Sequence, residues 1–461
     1  MQRDDNATRF LEISPYISPP SDLQAPLSTD LQVEVAIVGG GYTGLSTALA
    51  LHQAGVQVAV LERHFCGYGA SGRNAGHLTP TICKDLPTAK LLFGAERATQ
   101  LVRFADHCVE NAQALMQGYG IDCDYHDGGN IMAVLHPSQE QRLRQATEAE
   151  LKLGAKTHFI EPGEMRERGL PKAFLCGAME EVGGTLHPGK FVSGLRREVL
   201  ARGIPVYEQT CVERVEPGTP VRIVTPGGTV TAERSLMASN AYTSEIGPPG
   251  ERICPLYISL FETAPLSAEQ LAAIGGWAGR EGIYTAHESM ETYRLTAQRT
   301  IIGGSKDVQY FYDCAPHRHG GDSDARKRSV IRAFRARFPA LAQLPIAHAW
   351  AGWCGFTLNF LPVAGRAADS HAYYYSVGYN GHGVAQATAM GGLLADLMLG
   401  KHNPWHEVIF RKPAYMPAKP LRYLAVKSLL GALNGIDRRI DRKLAAAGIA
   451  PYPLRRRNAK A

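Results

Sequence analysis

The chain has 461 residues, too many for one ordinary hydrophobic core, and its 45% hydrophobic and 20% charged composition is that of a globular protein, not a disordered or fibrous one. Nine cysteines lie scattered without a CxxC pair or metal-ligand spacing, and their odd number argues against a disulfide framework, so a reducing, cytoplasmic setting is expected. The net charge of +6 hides an asymmetry: residues 411–461 hold thirteen Lys or Arg against Asp437 and Asp441, a balance of +11, which leaves −5 for the other 410 residues.

The first residues, Met1 to Asn6, carry no apolar run of the kind that opens a secretory signal, and no stretch reaches the length of a membrane span. Residues 1–32 are polar and bear prolines (Pro19, Pro20, Pro26), as expected of an extended arm over the surface. From Val33 a β-branched run breaks into Gly39, Gly41 and Gly44, followed by a small-residue helical pattern to Gln53. Gly39 permits the tight strand-to-helix turn, Gly41 lets a pyrophosphate approach the backbone, and Gly44 lets helix and strand pack closely. Tyr42 and Thr43 fall in the same turn, and the helix N-terminus beyond it attracts phosphate. A second strand, Val56 to Leu61, ends at Glu62, about 20 residues on, where a carboxylate holds a ribose hydroxyl. The spacing predicts a dinucleotide site.

A second glycine-rich loop runs from Gly67 to His77, with Arg73 and Asn74 set among its glycines. Helical periodicity marks 85–118 and 138–153, with a strand at 128–135 between them. Residues 183–192 form a loop leading into a helix to about Ala201. Alternation then predicts strands through 206–212, 221–225 and 228–232, the last two flanking a Pro226-Gly227 hairpin turn. Residues 254–345 mix short strands and helices without a glycine fingerprint, with paired strands at 293–296 and 300–304, as suits a substrate-binding insertion. The run Tyr373 to Val384 repeats the opening theme: strand, glycine turn, then a helix from about Ala385 to Leu399. From Leu421, apolar positions 421, 424, 429, 433, 436, 440 and 444 mark an amphipathic helix with a basic far side. Docking on the protein's own surface is the expected use of such a helix, with a membrane surface or nucleic acid as alternatives.

The pieces Gly39–Ser46, Gly69–Asn74, Ile121–Tyr125, Gly184–Pro188, Tyr293–Ala297 and Gly378–Val384 together resemble the FAD-dependent D-amino-acid oxidase superfamily, in its branch of γ-glutamylputrescine oxidases, from about residue 15 to about 447. The resemblance implies an α/β (α+β) fold in which a Rossmann-like FAD-binding domain (33–85, 185–245, 345–410) interleaves with a β-sheet-based substrate domain (86–184, 246–344). The arm at 1–32 and a basic helical tail at 411–461 complete it. It implies FAD held by Gly39, Gly41, Tyr42, Thr43 and Gly44, with Glu62 on the adenosine ribose and Arg63 beside it. Ser71, Arg73, Asn74 and Gly76 would line the pyrophosphate-to-flavin segment, Val212 would meet adenine, and Gly381, His382, Gly383 and Val384 the flavin pyrimidine edge.

The implied activity is hydride transfer from the carbon beside an amine nitrogen to the flavin, then hydrolysis of the imine, with O2 or an electron carrier as acceptor and hydrogen peroxide as a product of the oxidase form. His77, Tyr257, Tyr293, Arg294, Trp353 and His382 are the candidates to face the substrate. Arg294 could clamp a carboxylate bidentately or serve as a structural arginine. Two departures stand out. Ile301 occupies the place where sarcosine-oxidase relatives set an oxygen-activating lysine, which leaves a dehydrogenase passing electrons to a quinone open. Cys354 is misplaced by two residues for a covalent flavin link, so FAD is expected to be non-covalent. The partners expected are a small amine and an electron acceptor, with no nucleic acid; a tRNA-modifying flavoenzyme is the remote alternative, resting on the basic tail alone.

Overall fold

A computed structural model describes residues 8–306, 308–318, 324–411 and 414–446. Two large sheets organise them. The first has eight strands, in the order 214–216, 221–225, 228–237, 31–38, 58–61 and 206–207, with 373–377 also paired to 228–237 and 363–366 antiparallel to it. Leu31–Val38, Val58–Leu61 and Gly228–Met237 are mutually parallel and bury side chains on both faces, so alternating positions such as Val35, Ile37 and Ala36, Val38 are all covered. One face packs under the helices Tyr42–Gln53 and Gly383–Met398, which lie against each other, and under Ala95–Gly118. The expected 85–118 helix is split at Gly94, whose φ of +84° ends Leu86–Phe93 and starts the next.

The second sheet has ten strands, in the order 9–10, 346–356, 254–263, 301–304, 292–295, 282–285, 130–134, 176–180 and 157–160, with 309–310 also on 254–263. One face is closed by the helix Asp324–Arg337 through Val330, Ile331 and Phe334. The strand Ile346–Phe356 pairs along Cys254–Thr263 over most of its length, so residues 346–356, placed with the cofactor half from the sequence, sit in this second sheet; the first sheet resumes at Val363. The short pair His77–Leu78 and Gly184–Thr185 lies where the two halves meet.

Both termini depart from the sequence-based picture. The N-terminal arm keeps mostly exposed and half-buried residues, as expected of a surface arm, but it is pinned into the protein at several points. Arg9–Phe10 adds a parallel strand, Ser14 Oγ donates to Gly72 O at 2.5 Å, Ile17 and Leu27 are buried, and Tyr16 packs edge-on against Trp350. The helix Lys419–Ala446 does form, but its inward stripe is Arg422, Val426, Asp437, Asp441 and Leu444; Leu421, Leu424, Leu429 and Ile436 point outward. Buried ion pairs outcompete the apolar stripe for the inner face. The tail beyond 446 lies outside the described residues. Among those described, no helix is long and apolar enough to cross a membrane.

Candidate active site

Three strand ends of the first sheet open onto one cleft, lined by both glycine turns and by the residues after the third strand. At its centre Gly39 turns with φ +116°, and a Cβ there would lie 2.7 Å from Ala238 O. Gly41 caps the Tyr42–Gln53 helix, and a Cβ on it would come 2.9 Å from Ser71 Oγ. That hydroxyl accepts the Tyr42 N–H at 3.0 Å, which fixes the second glycine loop against the first. Thr43 Oγ1 meets Tyr379 OH at 2.7 Å, and Tyr379 OH meets Ser376 Oγ at 2.6 Å, tying the two glycine turns together. Glu62 ends the second strand; its Oε2 accepts Gly40 N–H at 2.8 Å and its Oε1 accepts His64 N–H at 2.9 Å, while burial raises its pKa above the usual carboxylate value.

Of the residues singled out from the sequence, Gly39, Gly41, Tyr42, Thr43, Glu62, Arg63, Ser71, Asn74, Val212, Gly381, Gly383, Val384 and Trp353 line this cleft. Arg63 and Val212 mark one end and the Gly381–Val384 turn the other. The N-termini of two long helices, Tyr42–Gln53 and Gly383–Met398, face into it, which suits an anionic ligand at both points. Four of the expected cofactor residues stand behind the wall. A Cβ on Gly44 would overlap the Gly39 carbonyl oxygen, and one on Gly76 the Leu186 carbonyl oxygen, so these glycines serve close packing. Arg73 is buried and spans the arm, the loop and the second sheet, donating to Tyr68 O at 2.6 Å, Glu12 O at 3.0 Å and Ala351 O at 3.3 Å. It braces all three, stacks at 4.2 Å on the ring of Tyr68, and leaves Nη2 buried without a partner. His382 caps the Gly383–Met398 helix; its Nδ1 is buried without a hydrogen-bond partner, and burial lowers its pKa to about 4.

The substrate candidates divide by strand parity. On Thr292–Leu295, Tyr293 and Arg294 project to opposite faces. Tyr293 enters the core under Phe334 and Phe338, and its hydroxyl donates to Glu291 Oε2 at 2.9 Å, so it does not face the substrate side. Arg294 turns toward the first sheet, where its Nε donates to Ala75 O at 2.6 Å and its Nη2 is buried without a partner. Tyr257 is the cross-strand partner of Trp353, on the same face of the sheet, with ring centroids 4.7 Å apart. His77 lies beside Arg294's loop contact: its Nδ1 is 3.0 Å from Asn130 Oδ1, its ring packs on Tyr284 at 4.9 Å, and burial lowers its pKa to about 4.

Several contributors escaped the sequence reading. Tyr68, Asn240, Tyr242 and Tyr379 line the cleft, beside the Cys354 already considered for a covalent link. Asn240 follows the Gly228–Met237 strand, and its Oδ1 accepts Gly378 N–H at 2.9 Å; the third strand end in one parallel sheet was the signal that could have found it. Asn130 and Tyr284 had no such signal, since only cross-strand pairing brings them to His77.

The cradle fits FAD: glycines stand where side chains would fill it, a carboxylate closes one end, and a helix N-terminus stands at each phosphate- and flavin-facing turn. Comparison with known proteins agrees. Residues 34–397 match the family model described as FAD dependent oxidoreductase. The chain is 30% identical to a gamma-glutamylputrescine oxidoreductase of Escherichia coli over 394 residues, covering 84% of this chain and 89% of the relative. Among solved structures it resembles glycine oxidase from Geobacillus kaustophilus, with a TM-score of 0.70 at 18% identity over 84% of this chain and 100% of that one. L-proline dehydrogenase from P. horikoshii gives a TM-score of 0.68 at 21% identity over 82% of this chain and 97% of that one. The chain therefore belongs to the family of FAD-dependent oxidoreductases: it is an enzyme, and FAD is the dinucleotide its glycine cleft takes.

Proposed function

We propose that this enzyme oxidises the C–N bond of a small amine or amino-acid derivative of the γ-glutamylputrescine kind. The observation that carries the reading is the polar face of the second sheet, where Arg294 and the His77–Asn130 pair meet the 75–78 segment at the edge of the cofactor half. The 30% identity to a gamma-glutamylputrescine oxidoreductase supports the substrate class. Gly39, Gly41, Thr43, Glu62, Asn74 and the Gly381–Val384 turn would hold the FAD, and, once bound, it supplies the acceptor for the electron pair of the C–H bond next to nitrogen. The Cys354 thiol, which burial pushes up to about 12, stays protonated near neutral pH, in keeping with a non-covalent cofactor.

The chain's own part is to present the amine unprotonated. An alkylammonium loses its proton near pH 10.4 in water, and each unit of lowering costs about 1.36 kcal/mol, which desolvation between Tyr284, Trp350 and Ile302 helps to supply. His77 sets the geometry. Asn130 Nδ2 donates to Leu78 O at 3.1 Å and Gly184 O at 3.4 Å, so its Oδ1 is the acceptor and His77 carries its proton on Nδ1. Nε2, buried and without a partner, then carries a lone pair that accepts one amine N–H and so turns the amine's own lone pair parallel to the breaking C–H bond. As the C–H electron pair leaves, that lone pair forms the C=N bond. Water then adds to the imine carbon and releases an aldehyde or keto product and the amine fragment. Arg294 Nη2, the other unpartnered donor on this face, would hold a carboxylate or carbonyl oxygen of the substrate.

The test is anaerobic: purified yellow enzyme is mixed with γ-glutamylputrescine, related amines and amino acids. Bleaching of the visible flavin bands by an amine is expected; a panel in which none of them bleaches overturns the reading.

A second reading concerns where electrons go. The outward stripe Leu421, Leu424, Leu429 and Ile436, from 41% to 65% exposed, is flanked by exposed Lys427, Arg438 and Arg439, a pattern that favours contact with an anionic lipid surface and delivery to a membrane carrier. Ile301, buried on the core side of the second sheet, offers no ammonium for activating O2.

A further inference from the structure

The face of the second sheet that bears Arg294 has a second, acidic end. Cross-strand pairing sets Glu180 beside Asn130, on the same face as His77's partner, and Tyr284 and Thr292 stand between them and Arg294. Thr81 Oγ1 donates to Glu180 Oε1 at 3.3 Å, whereas Glu180 Oε2 is buried without a partner. Gln386, in the first turn of the helix whose neighbours Gly383, Val384 and Ala387 line the cofactor cleft, donates its Nε2 to Thr81 O at 2.8 Å and leaves Oε1 buried and unpartnered. The Tyr284 hydroxyl is buried and unpartnered as well. Glu180 and Gln386 thus meet through Thr81, and each keeps one buried oxygen without a partner beside the cofactor cleft.

The charge of the cluster narrows what it takes. Burial and the proximity of Glu150 raise Glu180 to about 8, and burial and Asp85 raise Glu150 to about 7. The nearby lysines are engaged elsewhere: Lys84 Nζ pairs with Glu288 at 2.8 Å, and Lys156 stands 3.9 Å from Asp106 and 3.8 Å from Glu110. The unpartnered oxygens of Glu180 and Gln386 call for N–H donors, and the buried carboxyl calls for a positive charge among them. An ammonium with three N–H donors matches a carboxylate, a phenol oxygen and an amide oxygen.

We propose that the pocket of Glu180, Tyr284 and Gln386 binds the second, non-reacting ammonium of a diamine-type substrate whose other nitrogen meets His77. The inference rests on the amine-oxidising reading above and adds to it the feature the enzyme measures: two cationic nitrogens, one at each end of the substrate. The ammonium takes the place of the proton that burial holds on Glu180, and its charge offsets the desolvation of the carboxylate.

The experiment uses the holoenzyme under anaerobic conditions with short α,ω-diaminoalkanes and the matching n-alkylamines, read by flavin-reduction rate at low amine and by the shift in melting temperature. The wild type is expected to favour the diamine at least about tenfold, the equivalent of 1.4 kcal/mol. In Glu180→Gln that ratio falls toward one and the diamine-induced melting shift disappears, while Glu181→Gln, an exposed neighbour paired with His158, keeps both. An unchanged ratio in Glu180→Gln, or a wild type indifferent to the second nitrogen, overturns the proposal. Should no amine reduce the flavin, the amine-oxidising reading fails, and the melting shift decides separately: a Glu180-dependent shift with the diamine alone upholds the pocket, and its absence overturns it.

Discussion

Asp441 Oδ1 accepts from Arg337 Nη2 at 2.9 Å, with both side chains buried, and this pair joins the C-terminal helix to the helix that closes the second sheet. Around it Arg337 also holds Glu291 at 2.9 and 3.0 Å, and Lys306 Nζ stands 3.0 Å from Asp441 and 3.1 Å from Glu291. One turn earlier, Asp437 accepts the backbone N–H groups of Glu288 and Ser289 at 2.8 and 2.9 Å. The C-terminal helix is therefore fastened by acids, and Asp437 holds the 286–291 loop, which continues into the strand bearing Arg294.

Removing one partner of a buried network leaves the others desolvated and unpaired. Asp441→Ala is expected to destabilise the protein by about 3–5 kcal/mol. Denaturant titration measures the loss, and hydrogen exchange should show early release of residues 419–446.

The close approach of the first helix to its strand makes Gly44 a test of the cofactor half. A Cβ in Gly44→Ala would overlap the Gly39 carbonyl oxygen, so the turn must open and FAD retention, read as the ratio of visible to ultraviolet absorbance, should fall about tenfold or more. Gly392, in the Gly383–Met398 helix with nothing within 4 Å of its Cβ position, is the control; Gly392→Ala should keep FAD and gain roughly 0.5–1 kcal/mol.

Asn130 acts on the chemistry through the imidazole it orients. Asn130→Leu frees His77 to place its proton on either nitrogen, and the rate of anaerobic flavin reduction at saturating amine should drop roughly 10–100-fold. The flavin spectrum should be kept and amine affinity changed less than the rate. An equal loss in affinity alone would mark Asn130 as a binding residue only.

Two groups of buried side chains give opposite pH signatures. His77 and His382, held near 4 in the folded state against 6.5 unfolded, contribute stability present above pH 6.5 and lost as pH falls toward 4. Glu180, raised to about 8, binds its proton more tightly folded than unfolded, so its contribution is lost as pH rises from 4.5 to 8. Glu180→Gln should match the wild type near pH 4.5 and exceed it increasingly up to pH 8–9, by at most about 5 kcal/mol. Melting temperatures across that range check both signs.

The outward face of the C-terminal helix can be altered without touching its docking residues. Replacing Leu421, Leu424 and Leu429 together by Ser should leave flavin content and melting unchanged while abolishing co-flotation with anionic vesicles. Flotation equal to that of the wild type would remove the membrane reading.

Local order was legible from the sequence because local physics writes it. A turn at φ +116° needs glycine at 39, a helix packed on its strand needs none but glycine at 44, and a buried parallel strand needs the unbroken apolar run ahead of them. Those constraints sufficed to place the dinucleotide cleft and most of its lining. Tertiary structure decided the rest. Tyr293 and Arg294 are adjacent in sequence, yet only strand pairing says which of them faces the substrate side and which the core. Arg73 looked like a ligand among glycines and is a brace, because the N-terminal arm passes beside it and accepts its protons. The C-terminal helix has an apolar stripe, but it docks where Asp437 and Asp441 find partners 104 to 149 residues away. Glu180 carries no motif, and it shares a site with His77 because Asn130 lies beside one in the sheet and bonds to the other, contacts 50 and more residues apart that no local pattern encodes.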